Sequence, residues 1–156
     1  MKAKVLIVIL TALTLAACNK DLYTTSPQLQ FESVNATTIP NGGLLDFKMQ
    51  VTDKQGDIQD SIWVQRISFI PDCVGLDSGV LVYSMPQFAG TSNLKADVDV
   101  SFLYGTNDDV HAELSSCYVG SGIPVTDSCY FRFWIKDNAK NVSDTVKSPT
   151  IVLLDH

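Results

Sequence analysis

The chain has 156 residues with 17 acidic and 11 basic side chains, a formal net charge of −6. That balance argues against nucleic-acid partners, whose phosphates demand a basic surface, and against electrostatic adhesion to anionic lipid. Fifteen of the acids are Asp and only two are Glu, a skew that favours turns and caps over helix interiors.

The first elements form a leader. Lys2 and Lys4 precede an apolar run over residues 5–17, broken only by Thr11 and Thr14. A basic start, a short apolar core and small residues before a cut are the marks of a secretory signal. The run's thirteen residues fall short of the roughly 20 that a spanning helix needs. It ends in Leu15-Ala16-Ala17-Cys18, which resembles the lipobox of bacterial lipoproteins. The resemblance implies that residues 1–17 are a lipoprotein signal peptide, and that Cys18 is lipidated and holds the chain to a membrane. Asn19 in place of Asp after the cysteine resembles Gram-negative signals for the outer membrane. Lys20-Asp21 resembles, over two residues, signals that place some lipoproteins on the cell surface. The 139 residues from Cys18 onward carry nine basic and seventeen acidic side chains, enough chain for one domain with one core. Residues 18–30 read as the anchor and a polar, flexible tether, and residues 31–156 as the domain.

Downstream, alternation with period two predicts strands. Residues 28–34 are the first. In residues 44–51, Leu45, Phe47, Met49 and Val51 share one face, and a turn over residues 52–57 follows. Residues 61–70 are apolar on both faces, which predicts a central strand ended by Pro71. Residues 80–83 and 96–103 follow. Residues 129–136 place Phe131, Phe133 and Ile135 on one face, with Tyr130, Arg132 and Trp134 on the other. The last strand spans residues 146–154, and Pro149 within it implies a sheet edge. About seven strands separated by turn signals predict an antiparallel β-sandwich. Residues 105–128 form an insertion between the fifth and sixth core strands, with a short helix near residues 110–115.

Two segments carry a family resemblance. Residues 45–58 run Leu-Asp-Phe-Lys-Met-Gln-Val-Thr-Asp-Lys-Gln-Gly-Asp-Ile, and residues 131–145 run Phe-Arg-Phe-Trp-Ile-Lys-Asp-Asn-Ala-Lys-Asn-Val-Ser-Asp-Thr. They resemble strand B with its turn, and strand F with the turn into G, of bacterial immunoglobulin-like or fibronectin-III-like domains. The whole chain is thus similar to small bacterial lipoproteins carrying one such domain. Many of these domains have Gly where this chain has Lys140. A lysine in a left-handed conformation costs about 1 kcal/mol, so the turn is open to a different shape.

The resemblance places the B–C and F–G turns at one pole. Asp53 and Asp57 would then face Asp137, Asn141 and Asp144, with Asp60 nearby. Ca²⁺ takes six to eight oxygen ligands, and these side chains would supply several. The competing reading is turn chemistry, because Asp and Asn side chains accept hydrogen bonds from the backbone two residues on. No other cofactor is expected. With Cys18 lipidated, Cys73, Cys117 and Cys129 allow one bridge. Cys117–Cys129 would close the insertion, where loop closure gains most; Cys73–Cys129 would join neighbouring strands. These three cysteines with His111 would make a zinc set, but without CxxC spacing.

Tyr130, Trp134 and Trp63 offer a ligand-binding aromatic face, since such rings stack on sugars and anchor protein partners. Against this, Trp63 would belong to the core if it follows immunoglobulin strand C. Catalysis has little to work with. His111 and His156 are the only histidines, and no Gly-x-Ser-x-Gly elbow is present. The expectation is an outer-membrane lipoprotein with a non-enzymatic interaction module, its partner an envelope protein of unknown identity. The alternative is a carbohydrate-binding domain.

Overall fold

The computed structural model describes residues 23–73, 79–106, 110–120 and 122–155. The expected leader, Cys18 and residues 19–22 of the expected tether lie outside the described residues. In chain order the strands are β1 (Gln28–Val34), β2 (Thr38–Ile39), β3 (Leu44–Asp53), β4 (Ser61–Ser68), β5 (Val80–Ser84) and β6 (Leu94–Tyr104). They continue as β7 (Ala112–Leu114), β8 (Cys117–Val119), β9 (Ile123–Val125), β10 (Asp127–Lys136), β11 (Val146–Lys147) and β12 (Ile151–Leu153). One sheet has the order β1-β3-β6-β7; the other runs β2-β12-β10-β4-β5, with β11 also paired to β10. The two enclose one hydrophobic core, so the fold is an all-β sandwich.

Alternation positions the core. Leu45, Phe47, Met49 and Val51 of β3 are fully buried, as are Phe133 and Ile135 of β10. Each large apolar side chain so buried contributes about 1.5–3 kcal/mol. Phe47 is the hub. Its ring lies 4.9 Å from Phe131 and 5.0 Å from Phe133 across the sandwich, and 6.4 Å from Phe31 and Phe102 within its own sheet. The central placement expected for β4 holds, since it pairs with β10 on one side and β5 on the other.

Three expectations are corrected. First, the final strand is split, and it is not a free edge: β11 and β12 both pair with β10, and β12 also pairs with β2. Pro149 has no N–H for the ladder, so it sits in the gap. Ser148 fills in there, its hydroxyl accepting from the Phe131 N–H at 2.9 Å. Second, the segment near residues 110–115 is no helix: Ala112–Leu114 runs parallel to β6, and the insertion continues as the β8–β9 ribbon. Third, the disulfide joins Cys73 to Cys117, with Cα atoms 5.3 Å apart, and Cys129 is free and buried. Cys129 shares the inward parity of Phe131 and Phe133 on β10, opposite Ser68 of β4. It points into the core. Burial, reinforced by the neighbouring Asp127 carboxylate, pushes its thiol pKa up, so it is an inert thiol. The bridge closes a loop with a sequence separation of 44, which is worth up to about 4 kcal/mol in the chain-entropy account.

Candidate metal centre and aromatic face

Two turns of one design meet at a pole of the sandwich. Asp53 ends β3, and its Oδ2 accepts hydrogen bonds from the Gly56 N–H at 2.5 Å and, more weakly, the Asp57 N–H at 3.4 Å. Asp137 follows β10, and its two oxygens accept from the Asn141 N–H at 2.7 Å and the Asn141 side-chain amide at 2.8 Å. Gly56 and Lys140 hold the same place in their turns, three residues after the aspartate, with φ of 70° and 73°. At Gly56 a Cβ would also run into the Thr91 carbonyl. Lys140 therefore accepts the left-handed strain, about 1 kcal/mol, and keeps the turn shape that glycine allows. Its ammonium reaches Asp60 at 3.2 Å.

The turns are tied together. The Asn138 N–H donates to the Asp57 carbonyl at 2.8 Å, and the Asn138 amide donates to Gln59 at 3.1 Å. The start of the described chain joins them, with the Lys54 N–H donating to the Thr24 carbonyl at 3.0 Å. Residues 28–30 are already in β1, so ordered structure begins within the stretch expected to be tether.

This arrangement brings Asp53, Asp57 and Asp137 together. One carboxylate oxygen from each lies within 4.8 Å of the others. Asp53 and Asp137 are fully buried. Oδ1 of Asp53 and Oδ1 of Asp57 are buried without a hydrogen-bond partner. Burial raises the Asp57 pKa, and the charges of Asp137 and Asp53 raise it further. The Asn141 side-chain nitrogen donates to Asp137, so that amide supports a carboxylate of the group. Asp144 is exposed and outside the group.

The second site is the outer face of the larger sheet. Trp63 stands opposite Trp134 in the β4–β10 ladder, and their rings stack with centroids 5.9 Å apart. Both are half-buried on the outward parity of their strands, so Trp63 is not a core residue. The Trp63 indole N–H donates to Ser61 at 2.8 Å, which fixes its ring. Two registers away the Arg132 guanidinium donates weakly to Gln65 at 3.4 Å. Further on, the Tyr130 ring meets Phe69 at 5.7 Å, under the Lys147 ammonium at 5.4 Å. Two aromatic patches thus flank a polar pair on a strip about 13 Å long.

Some features were not read from the sequence. Arg66 of β4 is buried, its Nε 3.5 Å from Asp127 and its Nη1 donating to the Ser115 carbonyl at 2.7 Å. Its inward parity with Ile62 and Val64 was the available signal. A cavity of about 580 Å³ opens between β5 and β6, lined by Ile62, Tyr83, Met85, Phe88 and Phe102 among others. No sequence pattern reports such a gap, because it lies between elements that do not pair. The zinc set is not formed, since Cys73 and Cys117 are spent on each other. Compared with family models, curated proteins and solved structures, the chain matches none.

Proposed function

We propose that this protein is a lipoprotein of the bacterial outer membrane, whose immunoglobulin-like domain is a non-enzymatic module binding an envelope partner. The observation that carries the reading is Leu15-Ala16-Ala17-Cys18 at the end of a short apolar leader. Each buried methylene of an acyl chain contributes about 0.8 kcal/mol, and two chains make a stable anchor. The topology is supported by the pairing of β3 with β6 in one sheet and β4 with β10 in the other, the partners that immunoglobulin strands B, E, C and F would have. A non-enzymatic role is supported by Cys117 lying in a disulfide, which removes the one thiol near His111 in sequence. The test is metabolic labelling with palmitate. Label in the wild type and none in Cys18→Ser is expected; equal label in both would end the proposal.

The stacked Trp63–Trp134 pair favours a second reading, a carbohydrate-binding domain. Flat rings pack on sugar faces, and Arg132 and Gln65 between the patches supply donors and an acceptor for hydroxyls. Envelope oligosaccharides are expected to perturb tryptophan fluorescence saturably, and Trp134→Ala should weaken binding at least tenfold. Wild-type fluorescence unmoved by a broad oligosaccharide panel would remove this reading.

A further inference from the structure

We propose that Asp53, Asp57 and Asp137 bind one Ca²⁺ ion, which clamps the turn after β3 to the turn after β10. The proposal depends on neither the acyl anchor nor the aromatic face.

Geometry is the first support. Ca²⁺ binds oxygen at 2.3–2.6 Å, so two oxygens on one ion lie at most about 5 Å apart. One oxygen from each of the three carboxylates already falls within 4.8 Å of the others. The two turns need not move apart or together by more than side-chain adjustment.

Unmet hydrogen-bonding capacity is the second, independent support. Asp53 is fully buried, yet its Oδ1 has no partner, and neither has Oδ1 of Asp57. A buried carboxylate oxygen left without a donor costs roughly 1–3 kcal/mol or more, and a cation removes that penalty. Turn chemistry accounts for Oδ2 of Asp53 and for both oxygens of Asp137. It does not account for the two Oδ1 atoms. Asp137 keeps room for an ion, because each carboxylate oxygen has two lone-pair sites and Asn141 fills one on each.

The chemistry favours calcium. The donors are all oxygen, which disfavours the softer metals. Three carboxylates on two loops give an irregular set that water or carbonyls complete. Ca²⁺ tolerates such a set, whereas Mg²⁺ demands a near-ideal octahedron at 2.0–2.1 Å. Lys140, the lysine of the second turn, is committed to Asp60.

The experiment is calorimetric titration of CaCl₂ into the full chain, purified in detergent and stripped with EGTA. One ion per chain is expected, with Kd on the order of 10⁻⁴–10⁻³ M as in extracellular calcium modules. Ca²⁺ should raise the melting temperature reversibly, and Mg²⁺ at the same concentration should raise it less. Asp57→Asn should bind at least tenfold more weakly while melting no lower than wild type in EGTA, since it relieves like-charge crowding. Asp144→Asn should bind Ca²⁺ as wild type does. The wild-type titration decides alone: no heat and no melting shift at about 10 mM Ca²⁺ would overturn the site. An equal shift with Mg²⁺, or undiminished binding by Asp57→Asn, would overturn it as well.

Discussion

Arg66→Met is expected to destabilise the fold by about 3–5 kcal/mol, the usual cost of removing one partner of a buried ion pair. Side-chain exposure is 4% for Arg66 and none for Asp127. Without the guanidinium, the Asp127 carboxylate stays in the interior with only neutral donors such as the Ser68 hydroxyl at 2.6 Å. The substitution also deletes the donor to the Ser115 carbonyl, which helps seat the insertion against β4. If the uncompensated charge is the cause, removing it should restore stability. Arg66→Met with Asp127→Asn is therefore expected to recover most of the loss, because a neutral amide still accepts from Ser68. Urea unfolding of the wild type, the single and the double variant checks this. A double variant no more stable than the single one would show that packing, and not charge, is what Arg66 supplies.

That pair also illustrates where sequence reading stops. Strands β3 and β10 were legible because one face of each is buried, and a single register slip would expose every core residue. Phe47, Phe131 and Phe133 announce that face by spacing alone. Arg66 occupies an inward position of β4, but its charge hides it from a search for apolar periodicity. Its burial follows only once Asp127 is within reach, four residues before Phe131, the residue that stands opposite Arg66 in the β4–β10 ladder.

The two Asp turns were legible for a different reason. Asp53 to Asp57 and Asp137 to Asn141 have the same four-residue spacing, and each begins where a strand ends. Their meeting at one pole followed from the family resemblance. Which members converge did not, because spacing alone does not say that Asn141 turns its amide onto Asp137 or that Asp144 stays exposed outside the group. The disulfide failed as a prediction on similar grounds. Loop-closure entropy ranks candidate bridges, but the inward direction of Cys129 vetoes both pairings that used it.

The other large effect is expected at Phe47. Phe47→Ala should cost about 3–5 kcal/mol, a large share of the roughly 5–15 kcal/mol that holds a typical domain together. The ring is fully buried and touches four others, two of them on the opposite sheet. Collapse around the truncation would require both sheets to shift. β3 resists this, being hydrogen-bonded to β1 on one side and β6 on the other. The lost ring should therefore leave a cavity, not a repacked core. A drop of roughly 10–25 °C in melting temperature is expected, measured at fixed Ca²⁺ concentration. Phe47→Leu should cost much less, because it retains most of the volume. Since the cavity would be apolar and walled by Phe31, Phe102, Phe131 and Phe133, it should stay dry and admit benzene. Benzene should then raise the melting temperature of Phe47→Ala and leave the wild type unchanged. If the alanine variant ignores benzene and melts within a few degrees of wild type, the two sheets close freely over position 47 and Phe47 does not hold them apart.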